Sequence, residues 1–216
     1  MFKFKIIFTD GTKKILKSND IEKISNYVKE NLLSISEVTQ MKEKADDSIN
    51  SLSEKDQISM VQHKPSNIKY IKDPSEAVQL AAIEYSRGDA MRYIKNPTEK
   101  AQLAAVKIYG RYIAYIKNPS EAVKLAAVKN TGDAIEYIEN PSEAVQLAAV
   151  KQHGEAIRYI ENPTEEMQLI ALEGTREVLY QNNKDAKYFI SEMYGYIKNP
   201  TEKAKQLYKT LIKERS

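Results

Sequence analysis

Asn140-Pro-Ser-Glu-Ala-Val-Gln-Leu-Ala-Ala-Val-Lys-Gln-His-Gly154, continuing as Glu155-Ala-Ile-Arg-Tyr-Ile-Glu-Asn-Pro163, carries most of the information about the fold. Asn140 is placed to act as a helix N-cap, Pro141 suits the first helical position, and Glu143 three residues after the cap completes a capping box. A helix starting there presents Ala144, Val145, Leu147, Ala148, Ala149 and Val150 as a broad apolar face, with small residues that admit a close neighbour. Gly154 is expected just past its end in the left-handed conformation. The remainder is long enough for about two turns, with Ala156, Ile157 and Ile160 facing inward, before Asn162-Pro163 restarts the pattern.

The same phrase recurs on both sides. Tyr-Ile-Lys-Asp-Pro-Ser-Glu begins at Tyr70 and returns with small changes at Tyr93, Tyr115, Tyr137, Tyr159 and Tyr196, at spacings of 23, then three times 22, then 37 residues. Gly88, Gly110 and Gly132 mark the place of Gly154 in earlier copies. Neither helix of a copy is long enough to persist alone, so successive copies must stack to share a core. The pattern predicts a mostly α fold: an α-solenoid of two-helix repeats of about 22 residues over 49–216. Ser53-Glu-Lys-Asp-Gln-Ile-Ser-Met-Val, with polar Asp56 and Ser59, reads as an N-terminal capping copy. Pro200 to Lys213 reads as a C-terminal cap, and an insertion lies near 173–195.

Residues 1–48 follow a different rule. Phe2, Phe4 and Ile6 alternate with polar residues, Asp10-Gly11 is a hairpin turn, and Lys14-Ile-Leu-Lys forms a second strand. Asp20 caps a helix from Ile21 to about Glu30, and Ile35 to Val38 adds a third strand before a charged linker near Lys42 to Asp47. The expectation is a small α+β domain of ββαβ order, or a cap fused to the solenoid.

On Asn140-Pro-Ser-Glu-Ala-Val-Gln-Leu-Ala-Ala-Val-Lys-Gln-His-Gly the chain resembles short α-helical repeats of unknown function found in bacterial, phage and giant-virus proteins. It is also similar to leucine-rich variant and HEAT-like solenoid repeats. The resemblance covers roughly 51–216. It implies architecture more than activity, and a setting in a mobile element or its host, where an anti-defence role is one expectation.

Composition narrows the classes. With 33 basic and 30 acidic residues the net charge is +3, too small for a whole-molecule field attracting nucleic acid or membrane. The absence of cysteine removes disulfide scaffolds and thiolate chemistry. No segment approaches the roughly 18 apolar residues of a membrane span, and the N-terminus lacks a signal-peptide pattern, so a cytoplasmic protein without membrane partners is expected. Proline in the middle position disqualifies the Asn-Pro-Ser/Thr triplets as glycosylation sites.

No catalytic motif is present, and no cofactor or metal is implied. His63 and His153 read as solvated residues near helix ends. Glu76, Glu99, Glu121, Glu143, Glu165 and Glu202 occupy one column and read as capping residues. Tyr70, Tyr93, Tyr115, Tyr137 and Tyr159 form another, read as half-buried spacers, the alternative being a ladder lining a partner groove.

Departures from the repeat mark the candidate binding residues. Ile108-Tyr-Gly-Arg-Tyr stands where the next copy has Asn130-Thr-Gly-Asp-Ala, placing Tyr109, Arg111 and Tyr112 around one turn, with Tyr85 and Arg87 on the turn before. Tyrosine and arginine are enriched in interface hot spots because each combines contact area with directional polar groups. The residue two before each proline runs Lys72, Lys95 and Lys117, then Glu139 and Glu161. With Arg92, Lys107, Lys124 and Lys129, the early part forms a basic edge suited to phosphates or an acidic protein surface. The insertion Tyr180-Gln-Asn-Asn-Lys-Asp-Ala-Lys-Tyr-Phe-Ile is read as an extra helix after an Asn-rich turn, or equally as a joint that bends the stack. A protein partner bound by an adaptor or inhibitor is the first expectation, and nucleic acid the second.

Overall fold

A computed structural model of the chain describes residues 2–18, 21–30, 35–40, 49–175 and 186–213. The expected Asp20 cap, the charged linker and the Asn-rich turn of the insertion lie outside these residues. The described chain is mostly helical, with helices packed consecutively. It divides into two compact units, Met1–Ala105 and Val106–Ser216.

In the first unit, strands β1 (Phe2–Phe8), β2 (Lys13–Ser18) and β3 (Ile35–Gln40) form an antiparallel sheet ordered β2-β1-β3, with helix α1 (Ile21–Glu30) between β2 and β3 in sequence. Phe4 and Ile6, two apart on β1, are buried, as strand alternation requires. Then come α2 (Glu54–His63), a 3-10 helix Pro65–Tyr70, α3 (Glu76–Tyr85) and a 3-10 helix Asp89–Tyr93. Helix α4 (Glu99–Ile108) runs through the division.

The second unit continues with 3-10 helix Gly110–Tyr115, α5 (Glu121–Asn130), 3-10 helix Gly132–Tyr137, α6 (Glu143–Gln152), 3-10 helix Gly154–Tyr159 and α7 (Glu165–Gly174). Helices α8 (Ala186–Tyr196) and α9 (Glu202–Lys213) follow, so a helix does stand in the insertion. The short elements Pro65–Tyr70, Asp89–Tyr93, Gly110–Tyr115, Gly132–Tyr137 and Gly154–Tyr159 are thus tight 3-10 helices, whereas the stretch ending at Tyr196 is α-helical. Val145, Ala149 and Val150 from α6, and Ala156, Ile157 and Ile160 from the segment after it, are buried as expected, whereas Ala144 is exposed and Leu147 and Ala148 are half-buried.

Helix starts differ from the expectation by two residues. Ser142, not Asn140, is the N-cap of α6, its hydroxyl accepting the Val145 N–H at 3.2 Å. Ser75, Ser120 and Thr164 cap α3, α5 and α7 in the same way. Asn140, like Asn118 and Asn199, instead takes a positive φ of 48–53°, which asparagine tolerates better than most residues. This accounts for the asparagine before the proline in three of the five Asn-Pro pairs, since Asn96 and Asn162 do not take a positive φ. Glutamates of the repeated column therefore open the helices, and three of them, together with Glu54 at the start of α2, bridge to the next copy. Glu54 accepts from Ser75 and Glu121 from Ser142, while Lys100 reaches Glu76 at 2.8 Å and Lys203 reaches Glu165 at 2.6 Å.

The glycines also serve a different purpose. Of the four, only Gly88 has positive φ (94°), beside Arg87 at 52°, where the 23-residue copy fits its extra residue. Gly110 and Gly132 are needed for close approach: a Cβ on Gly110 would lie 2.2 Å from the Ala127 carbonyl oxygen, and one on Gly132 2.8 Å from that of Ala149. The N–H groups so admitted are bonded by side chains of the following copy. Gly110 N donates to Asn130 Oδ1 at 2.8 Å, whose Nδ2 donates to the Lys107 carbonyl at 2.8 Å, and Gly132 N donates to Gln152 Oε1.

A buried glutamine makes a second clamp. Gln168, 1% exposed, donates to the Pro163 and Asn199 carbonyls at 3.0 and 3.4 Å and accepts from Thr201 N at 2.8 Å. Gln79 repeats all three contacts with Pro74, Asn96 and Thr98. Buried polar groups of this kind must be paired, which ties each residue type to its column.

Candidate binding surface

The 3-10 helices of the second unit pack side by side and carry a continuous run of tyrosine and arginine side chains. The Tyr109 and Tyr112 rings meet edge to face at 5.7 Å between centroids, and Tyr112 and Tyr115 lie tilted at 6.4 Å. From the same helix Arg111 reaches the next copy, its guanidinium 6.0 Å from the Tyr137 ring centre and 3.5 Å from Asp133 Oδ2. Tyr109, Tyr115 and Tyr137 remain 43%, 44% and 41% exposed. They are aromatic groups packed against neighbours yet still partly exposed.

Asp133, with its side chain only 17% exposed, anchors the arrangement. Besides Arg111 it meets His153 Nδ1 at 3.0 Å and Arg158 at 3.9 Å. Arg158 also pairs with Glu155 at 3.6 Å, donates to the Tyr159 hydroxyl at 2.9 Å, and lies 4.8 and 5.7 Å from the Tyr159 and Tyr196 ring centres. The Tyr196 hydroxyl donates to Glu192 at 2.8 Å. Partial desolvation opposes the charge on Arg111, but Tyr109, Tyr137 and Asp133 outweigh it and hold the guanidinium above its ordinary pKa. Arg158 is raised through its hydrogen bond with Tyr159, and the Tyr196 hydroxyl through its bond to Glu192. Both arginines are therefore fixed cations stacked on rings.

The structure thus brings Tyr109, Arg111 and Tyr112 together. Tyr85, Arg87, Arg92 and Lys95 belong to the first unit. There Tyr85 is 57% exposed, Arg92 pairs with Asp89 at 2.6 Å, and exposed Lys95 borders a cavity of about 130 Å³ beside Gln79 and Tyr93. In the second unit exposed Lys117 is followed in its column by exposed Glu139 and Glu161, so the charge reverses along that edge. Lys107 and Lys129 stand in the last turns of α4 and α5, where cations complement the carbonyl end of a helix. Lys124 occupies the glutamine column and is half-buried.

Of the tyrosine column, Tyr70, Tyr93 and Tyr159 are half-buried, while Tyr115 and Tyr137 are exposed and join the aromatic run. Sequence reasoning missed Asp133, Tyr137, His153, Arg158 and Tyr196 as members of the cluster. One signal was present: Asp133 stands 22 residues after Arg111, in the same column of the next copy, so stacking must bring the opposite charges together. Among the described residues no group of three His, Cys, Asp or Glu side chains could hold a metal ion, and no helix is long and apolar enough to cross a membrane.

Comparison of the chain with protein-family models, with curated proteins and with solved structures returned no match.

Proposed function

We propose that the chain is a non-enzymatic binding protein, a helical-repeat solenoid preceded by a small ββαβ domain, which engages a protein partner as an adaptor or inhibitor in the cytoplasm. The observation that carries this reading is the Tyr109, Tyr112, Tyr115, Arg111 and Tyr137 surface, in which exposed rings are ordered before any partner arrives. Rings and guanidinium held in advance lose little side-chain entropy on binding, which is what makes such residues efficient anchors. Asp133 neutralises part of the arginine charge and the lysine edge turns acidic at Glu139, so the surface suits a mixed protein surface better than a phosphate backbone.

The test is capture from lysate of the source cells, after nuclease treatment and at two salt concentrations, with the wild-type chain and with Tyr109→Ala/Arg111→Ala/Tyr112→Ala. A protein held by the wild type and lost from the triple variant, with circular dichroism unchanged, supports the reading. Retention of nucleic acid alone, lost steeply with salt, would move the function to the basic edge. The anti-defence role implied by the resemblance to phage repeats is then decided by the identity of the captured protein.

A further inference from the structure

The second unit contains one place where its own side-chain pattern is broken and a cavity results. At the first two 3-10 starts, the N–H of Gly110 and of Gly132 is bonded by a carboxamide 20 residues later, from Asn130 and from Gln152. In each case the amide nitrogen also donates to a backbone carbonyl at the end of the preceding helix, Lys107 at 2.8 Å and Asn130 at 3.5 Å. At the third start the residue 20 later is Gly174, which has no side chain. The Gly154 N–H has no acceptor among the described residues.

The local backbone explains why nothing else closes the gap. Thr131 and His153 leave their helices in extended conformation (φ −143° and −147°), turning the chain into the next 3-10 helix. Thr175 stays helical (φ −74°) and spends its hydroxyl on the Leu172 carbonyl at 2.6 Å. A cavity of about 230 Å³ remains, lined by Gly154, Gly174, Phe189, Met193 and Tyr196 with the carboxylates of Glu155 and Glu192. It is larger than the roughly 150 Å³ cavities known to take up benzene.

We propose that this cavity is a binding site for a primary carboxamide, which occupies the position filled by Asn130 and Gln152 in the two preceding copies. The amide oxygen accepts from Gly154 N–H. The amide nitrogen donates to the carbonyls ending α6 or to Glu155 and Glu192, while Phe189 and Met193 cover the apolar body. A carboxylate would also satisfy the Gly154 N–H, and although Arg158 offsets part of the charge of Glu155 at 3.6 Å, the carboxylates of Glu155 and Glu192 favour a neutral acceptor that is also a donor, as in the two filled precedents. The six-residue 3-10 helix is too short to attract a ligand by its own dipole. What distinguishes the place is the cavity together with its two filled precedents. The site does not depend on the partner surface proposed above.

The experiment is a titration of the full chain followed by amide NMR, with benzamide, benzoate and N-acetylglutamine methylamide as probes, on the wild type and on Gly174→Gln. A Cβ on Gly174 meets nothing within 4 Å, so the variant can supply the missing side chain without strain. Expected is a saturable shift of the Gly154 amide with a carboxamide, a response to benzoate at least about tenfold weaker, and loss of the carboxamide response in Gly174→Gln. Stronger response to the glutamine derivative than to benzamide assigns the site to a side chain of a polypeptide, and the reverse order to a free aromatic amide. No shift with either carboxamide, or equal shifts with benzamide and benzoate, overturns the proposal whatever the variant does.

Discussion

Replacing Gly110 by alanine tests the account of how successive copies are joined. The added Cβ would sit 2.2 Å from the Ala127 carbonyl oxygen and 2.9 Å from Thr131 Cβ, both far inside contact distance, and the first is backbone that cannot swing aside. Relief requires α5 to move away from the 3-10 helix Gly110–Tyr115. That movement stretches the 2.8 Å bond from Gly110 N to Asn130 and the 3.2 Å bond to Thr131 Oγ1. Overpacking costs about 1–3 kcal/mol and an orphaned buried N–H about 1–3 kcal/mol, so Gly110→Ala should lose about 2–6 kcal/mol. For a chain of this size that lowers the melting temperature by roughly 4–24 °C. Gly154→Ala is the internal control: its Cβ would meet the Ala171 backbone at 3.3 and 3.4 Å, a contact relieved by a shift of a few tenths of an ångström, and the Gly154 N–H has no partner to lose, so it should cost clearly less than Gly110→Ala. Urea titration of the two variants measures the difference. Equal losses, or no loss in Gly110→Ala, would refute the claim that close approach is what these glycines provide.

Further outcomes are expected elsewhere. Gln168→Leu keeps the volume but leaves the Pro163 and Asn199 carbonyls and Thr201 N–H unpaired, and should cost about 2–4 kcal/mol in denaturant titration. The Asp56 carboxyl titrates below its ordinary value of 3.8, chiefly because the Ser53 hydroxyl donates to it and secondarily through Lys29 at 3.2 Å. Its folded pKa being depressed, its stabilisation is present above the unfolded value and disappears as pH falls through the folded one. Asp56→Asn should therefore be less stable than wild type at pH 7 and show a shallower loss below about pH 4 in melts across pH. The triple alanine variant at Tyr109, Arg111 and Tyr112 should weaken partner binding at least about tenfold by calorimetry, with the melting curve little changed.

Much of the fold was legible because burial imposes a period. The return of Tyr-Ile-x-Asn/Asp-Pro every 22 or 23 residues from Tyr70 to Tyr159 located the helices from α3 to α7, and the inward residues Ala156, Ile157 and Ile160 followed from it. The helix start was misjudged because Asn140-Pro141 satisfies the statistical form of a cap, while the hydroxyl that accepts the Val145 N–H belongs to Ser142, as it does to Ser75 and Thr164 in other copies. Propensity could not reveal that Gly110 and Gly132 are spaced for a neighbour rather than for φ, since the cause lies in the next copy. The binding surface was legible only in part for the same reason. Tyr109, Arg111 and Tyr112 are adjacent in sequence, whereas Asp133 and Tyr137 join them across a junction whose geometry is set by stacking.

The Asn130 and Gln152 contacts set a constraint on the order of assembly. Each closes a backbone group of an earlier copy with a side chain about 20 residues further on. A chain leaves the ribosome N-terminus first, at about 5–20 residues per second. The 3-10 start at Gly110 therefore stays unfinished until Asn130 has emerged, and that at Gly132 until Gln152 has. Folding during synthesis proceeds in this unit with a lag of one copy, each new helix closing the one made a second or more before it.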